Sequence, residues 1–412
     1  MEKRRLGLIG VGARGRSHLD GILTEREDVT ITWICDKILS RAEEAAKVVA
    51  EKMGNTPQIT EDWKKLIEQE DVDAVVIASD WDNHVPATCY AMEAGKKVAC
   101  ECGPAYTLEE CWQLVRTYEK TGNHVMFLEN CCYDRNELMI TRMVREGLFG
   151  EIVHCDGGYQ HDLRDMILKG YPTNQFRVNS FMHRNCEYYP THDLGPIAKL
   201  LDINRGNRMM KLVSLSSSAK GLNDYARQHP DTIDPAMQNY PFRQGDIVKT
   251  MIQCAGGQSI TLTIDTSLPR FYTRDFTVRG TRGFFAEREQ TVFLDGSTGH
   301  SRSEYLNNVD SYREQWEHPI WKRFNEAREN EDNAKLHGGM DWILFDAWFS
   351  SMDEGKVPPI DTYDMASWMA ITPLSEMSLN NGSMPVEIPD FTRGAWIDRG
   401  ADKYTGFWQL DK

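Results

Sequence analysis

Tyr159 and His161 close the segment Glu151–Gln160-His161, and Tyr188-Tyr189-Pro-Thr-His192-Asp-Leu-Gly-Pro196 follows some thirty residues on. Imidazole and phenol are the side chains suited to moving protons near neutrality. Glu151–Gln160 has the pattern of a strand. Alternation along it turns Tyr159 and His161 to one face. The second string places His192 in the first turn of a helix. Two tyrosines and two histidines therefore sit on elements able to face one ligand, with Arg164 just downstream.

A second chemical signal lies at the start of the chain. Leu6 to Ile9 form a short apolar run, and Gly10, Gly12 and Gly15 complete G-x-G-x-x-G with Arg14 inside the turn. This spacing suits a strand–turn–helix unit that cradles a dinucleotide pyrophosphate at a helix N-terminus. A second apolar run, Val29 to Cys35, ends at Asp36, where a carboxylate can take the ribose hydroxyls and favour NAD over NADP. Later strand ends also carry polar groups. Trp81 and His84 follow Asp73–Ser79, Glu101 follows Lys97–Cys100, and Glu129 and Asn130 follow His124–Leu128. Ligands of open α/β sheets lie beyond such carboxyl ends. The expected cofactor contacts are therefore Gly10, Gly12, Arg14, Gly15, Asp36, Trp81, His84, Glu101 and Asn130.

The elements that must hold these groups fall into two sets. Strand and helix signals alternate to about residue 130, predicting a doubly wound parallel sheet over 1–130. One helix is expected from about Val85 to Ala94. Another is announced by the capping box Thr107-Leu-Glu-Glu110 and stopped by Gly122. From 131 to 412 the rhythm changes to strands, Lys211–Ser217, Asp246–Cys254, Ser259–Thr266, Asp275–Arg279 and Gly283–Glu287, with a hairpin at Gly256-Gly257. The fold class is thus a Rossmann domain followed by an α+β domain with an open, mainly antiparallel sheet. One face of that sheet needs a cover, so a homo-oligomer is expected. The segment after about Gly338 is expected to pack back over both domains.

The bulk numbers exclude other classes. Among 412 residues, 47 Lys plus Arg against 62 Asp plus Glu give a net charge of −15. No basic stripe offers itself to nucleic acid or anionic lipid. No stretch reaches the roughly 20 apolar residues of a membrane span. The ten cysteines form no paired C-x-x-C framework, and several lie in apolar runs, which reads as buried thiols in a reducing, cytoplasmic setting. A periplasmic location requires a removed leader. A zinc site from His183, Cys186 and His192 is disfavoured, and no metal is expected.

At these residues the chain resembles the Gfo/Idh/MocA oxidoreductase superfamily, and within it the NAD-dependent glycosidases of glycoside hydrolase family 109. The resemblance rests on the Gly10–Gly15 turn, Leu128-Glu-Asn, Gly158-Tyr-Gln-His-Asp-Leu-Arg, Tyr189-Pro-Thr-His-Asp-Leu-Gly-Pro, Pro269-Arg-Phe-Tyr272, His337-Gly-Gly-Met-Asp341 and Asp390-Phe-Thr-Arg-Gly394. It implies active-site positions at Glu129, Tyr159, His161, Tyr189, His192 and Tyr272. It implies hydrolysis of a glycoside of a hexose or N-acetylhexosamine by transient oxidation at C3 and elimination across C1–C2. Such a cycle regenerates NAD in every turnover, and Tyr159 is the expected C2 base. His161 and His192 share the remaining proton transfers, in an order the sequence leaves open. Dehydrogenases of the superfamily carry Glu-Lys-Pro where this chain has Glu101-Cys102-Gly-Pro, so their acid–base lysine is absent. A sugar or polyol dehydrogenase using His192 instead is the alternative. Cys186, Glu187 and Asp193 depart from the family pattern and are expected to alter the lining of the sugar site, with Asp193 and Arg164 touching substrate.

Overall fold

The computed structural model describes residues 3–173, 175–297, 299, 301–328 and 337–399. Apolar runs four to seven residues long and rich in Val, Ile and Ala become the inner strands of the first sheet, because only strands covered on both faces can be apolar throughout. They are β1 (Arg4–Ile9), β2 (Val29–Cys35), β3 (Gln58–Thr60), β4 (Ala74–Ile77), β5 (Lys97–Cys100) and β6 (Val125–Phe127). All pair in parallel, in the order β3-β2-β1-β4-β5-β6. The order reverses between β1 and β4, which opens a crevice at their carboxyl ends.

The second sheet holds β7 (Ile152–Gln160), β8 (Met209–Ser216), β9 (Ile247–Cys254), β10 (Ser259–Asp265), β11 (Thr277–Gly280), β12 (Gly283–Ala286), β13 (Thr291–Leu294) and β14 (Val386–Glu387). Their order is β13-β12-β11-β7-β10-β9-β8-β14, and the one parallel pairing is β7 with β10. Burial alternates along β9, as one-sided packing requires. Val153, Leu215 and Met251 stand more than half exposed on these strands.

The capping box at Thr107 and Glu110 forms, and Gly122 ends its helix in the left-handed region. The helix expected from Val85 instead begins at Trp81. Pro86 lies within it, and a proline inside a helix disguises the turn that precedes it. Trp81 and His84 therefore sit on a helix rather than in a loop. Strands β3 and β14, of three and two residues, escape the sequence reading because they are too short to show a period, and β13 escapes it too. The last part of the chain contacts both sheets: Phe127 N–H donates to Ile360 at 3.0 Å, and β14 pairs with β8.

Candidate active site

The glycine turn after β1 has the shape its spacing predicts. Gly10 adopts φ +87°, and a Cβ there would lie 2.6 Å from the Ala78 carbonyl. A Cβ on Gly15 would lie 2.0 Å from the Gly10 carbonyl, so strand and helix can meet only without one. At Gly12 a Cβ would meet nothing closer than Arg41 Nη1 at 3.7 Å, which leaves that approach open. The helix Ala13–Gly21 starts there with no side chain capping its N–H groups. These are free donors for an anion. Asp36 pins the turn to β2 by accepting from Val11 N–H and Ile38 N–H, each at 2.9 Å. A carboxylate so engaged keeps further lone pairs for hydroxyl donors. Close by, burial lowers the pKa of His84, whose Nε2 meets the Ser79 carbonyl while its Nδ1 has no partner. An open approach, uncapped donors and an orphaned imidazole nitrogen fit a bound dinucleotide.

Arg14, Glu101 and Asn130 belong to one hydrogen-bond network that runs through Asp341. Arg14 makes two hydrogen bonds to Asp341, at 2.7 and 2.8 Å, and one to Glu101 at 2.8 Å. Asn130 Nδ2 donates to Asp341 at 2.8 Å, and His18 Nε2 lies 2.5 Å from Glu101. Burial pushes the Glu101 carboxyl up, but Arg14 and His18 outweigh it and hold the group down at about 2. Asp341 is likewise far below the carboxylate range, against its burial, through Arg14. The network ties the glycine-turn helix to the helix Met340–Asp353, and its polar atoms are largely spent on one another.

Tyr159, at the end of β7, is the hub of the second cluster. Its ring centroid lies 4.7 Å from Tyr189, 5.5 Å from His192, 6.2 Å from His161 and 6.5 Å from Tyr272. Tyr189 stacks on Trp81 at 5.7 Å, which joins this cluster to the cofactor side. Burial raises the Tyr159 pKa, and the positive charge of Arg177 opposes the rise. His161 is lowered by burial and by the same arginine, so it is neutral near pH 7. Tyr272 is 44 % exposed and sits at the rim.

His192 is held by Glu129. Its Nδ1 lies 2.8 and 3.0 Å from the two carboxylate oxygens. Burial pushes Glu129 up, yet the charge and hydrogen bond of His192, with a further bond from Cys102, bring it below the usual range. An ionised carboxylate only accepts, so a proton sits on Nδ1, and in the neutral form of the ring Nε2 is the acceptor. The helix Thr191–Leu200 can come this close because residue 195 is glycine: a Cβ there would lie 2.7 Å from Glu129 Cγ. Cys102, where the dehydrogenase lysine would stand, places Sγ 3.0 Å from Glu129 Oε2.

Of the two further expected substrate contacts, one is held in an ion pair and the other is buried. Arg164 pairs with Asp162 at 2.7 and 2.9 Å and covers the Tyr225 ring. Asp193 is buried against β7, where a Cβ on Gly157 would lie 2.9 Å from its own Cβ. Its neighbours in the departing string turn inward too. Cys186 N–H donates to Gln244, and both carboxylate oxygens of the buried Glu187 lack partners. Cys186, Glu187 and Asp193 thus belong to the packing behind the cluster rather than to its lining. Arg177 escaped the sequence reading because no motif surrounds it; its guanidinium lies 5.5 Å from Trp81 and 5.6 Å from Tyr189. Asp341 stood inside the quoted His337-Gly-Gly-Met-Asp string, but only the fold shows what it holds.

Residues 133–398 match the family model described as the glycosyl hydrolase 109 C-terminal domain. The chain belongs to glycosyl hydrolase family 109. Residues 4–128 match the NAD-binding Rossmann fold of the oxidoreductase family, so this family 109 enzyme is a glycosidase that uses NAD. It is 37% identical over 423 residues to an alpha-N-acetylgalactosaminidase of Tannerella forsythia, covering 96% of this chain and 87% of that protein. A glycosyl hydrolase family 109 protein of Stenotrophomonas maltophilia is also 37% identical, over 96% of this chain and 91% of the relative. Among solved structures, levoglucosan dehydrogenase in complex with NADH and levoglucosan superposes with TM-score 0.67 at 18% identity, covering 94% of this chain and 100% of that one. Myo-inositol 2-dehydrogenase from Lactobacillus plantarum gives 0.64 at 17%, over 94% and 100%. These last two share the fold.

Proposed function

We propose that this family 109 enzyme removes a terminal hexose or N-acetylhexosamine, N-acetylgalactosamine first among them, by oxidation at C3, elimination across C1–C2, addition of water and re-reduction. The observation that carries the reading is the cluster centred on Tyr159, with His192 held by Glu129 and no lysine after Glu101. When bound, NAD supplies a hydride acceptor for C3 and gives the hydride back. The chain handles every proton. His192 Nε2 takes the proton of the C3 hydroxyl, and Glu129 stabilises the imidazolium that results. A ketone at C3 acidifies the hydrogen on C2, which Tyr159 removes as a phenolate favoured by the charge of Arg177, becoming the neutral phenol. The electrons expel the group on C1, and the neutral His161 at the rim assists the leaving group and the incoming water. Tyr189 and Tyr272 supply walls for the sugar ring.

Ten buried free thiols support a reducing, cytoplasmic setting, and among the described residues no helix is long and apolar enough to cross a membrane. The exposed Leu215 and Met251, on one face of β8 and β9, support self-association through the outer face of the second sheet. Nitrophenyl glycosides of both anomers, offered without added NAD, test the activity. Release of nitrophenol without accumulating NADH is expected. A ketone product with stoichiometric free NADH would make the protein a dehydrogenase.

A further inference from the structure

Cys102, Glu129 and His192 come from three separate segments, the ends of β5 and β6 and the helix Thr191–Leu200. One ligand atom from each lies within 4.8 Å of the other two. The observed separations are 3.0 Å from Cys102 Sγ to Glu129 Oε2 and 2.8 Å from His192 Nδ1 to Glu129 Oε1. We propose that these three side chains bind a thiophilic divalent ion, Zn²⁺ foremost, and that loading this site stops turnover.

Thiolate, imidazole and carboxylate are the three common zinc donors, and a soft sulfur selects against Mg²⁺ and Ca²⁺. Bonds of about 2.0–2.3 Å place tetrahedral ligand atoms roughly 3.3–3.7 Å apart, so shifts of under about 1 Å suffice. Three protein ligands leave a fourth position for water or a substrate oxygen. In the metal-free site a thiol S–H and an imidazole N–H both aim at one buried carboxylate. A dication replaces those two protons as its partner. The thiol proton leaves to solvent, the Nδ1 proton is lost and Nε2 gains one, so one proton is released per ion. The Zn²⁺, thiolate and carboxylate charges then sum to zero, where the metal-free site carried an uncompensated negative charge. The His192 side chain is 18% exposed, which gives the ion an entry edge.

Binding stands on the ligand geometry alone; the loss of turnover rests on the reading of His192 as a proton acceptor. Once Nδ1 is a ligand, Nε2 carries the proton and can no longer take one.

The test uses the holoenzyme with its bound NAD, freed of metal by EDTA and titrated with Co²⁺ and then Zn²⁺. One equivalent of Co²⁺ should give a thiolate-to-cobalt charge-transfer band in the near ultraviolet, and Zn²⁺ should displace it. The glycosidase rate should fall about 10²-fold on loading and recover with EDTA. In Cys102→Ser, with NAD content and circular dichroism matching the parent, the band should vanish and inhibition should need more zinc. No band in the parent, or an equal band in Cys102→Ser, overturns the site. Full loading with an unchanged rate overturns the inhibitory half and the role given to His192, while the ligand set stands.

Discussion

His192 Nδ1 lies 2.8 Å from Glu129 Oε1, joining the loop after the last strand of the NAD-binding sheet to a helix of the second domain. The bond fixes a tautomer and also the distance between the two halves of the cleft. A proton acceptor whose geometry depends on a residue in the other domain loses function in graded steps when that link is weakened.

His192→Ala should lower kcat/KM by about 10²-fold or more, the usual worth of a positioned proton acceptor. Glu129→Gln keeps an acceptor but loses the charge, so it should lie between parent and His192→Ala, with the loss in kcat rather than KM. Steady-state kinetics on variants with matched NAD content decide this. Full activity in Glu129→Gln would remove the pair from the chemistry.

Turnover in D₂O should place deuterium at C2 of the released sugar and leave C3 unlabelled, because the C2 hydrogen leaves as a proton while the C3 hydrogen travels as hydride. Tyr159→Phe keeps the ring and removes the phenol, so exchange at C2 should stop while bound NAD can still be transiently reduced. NMR of the product reads both positions. Protium kept at C2 through complete turnover rules out elimination.

Arg177 opposes the rise that burial imposes on the Tyr159 pKa. Arg177→Met should therefore push that phenol higher and move the rising limb of the pH–rate profile toward alkaline pH. Arg177→Lys, which restores the charge, should recover part of the shift. Superimposable profiles for parent and Arg177→Met would leave the arginine a packing role.

Glu187 and Asp193 are both raised by burial, Asp193 also by the nearby Glu187. A carboxyl whose folded pKa exceeds its unfolded value contributes stability that is present below about pH 4 and lost as pH rises through the folded pKa. Glu187→Gln cannot ionise, so its melting temperature should gain on the parent between pH 5 and about pH 8.5. Thermal melts at both ends check it. A constant difference across the range would mean that the carboxyl titrates no differently folded and unfolded.

Local patterns were legible in the chain because their causes are local. The glycine spacing dictates the turn, since Gly10 must reach φ +87° and Gly15 must pass the Gly10 carbonyl. Apolar runs announced the inner strands, Thr107 and Glu110 announced a helix start, and alternation turned Tyr159 and His161 to one face. Family strings pointed to Glu129, Tyr189, His192 and Tyr272 before any of their distances could be read. What only the tertiary structure decided depends on residues far apart in the chain. Arg14 and Asp341 are 327 positions apart, and Glu129 and His192 are 63 apart. Neighbours on a helix point about 100° apart, so one face carries His192 to Glu129 while packing against Gly157 turns Asp193 inward. Side-chain types announce which chemistry a chain can perform, but helix rotation and domain packing choose which of them meet.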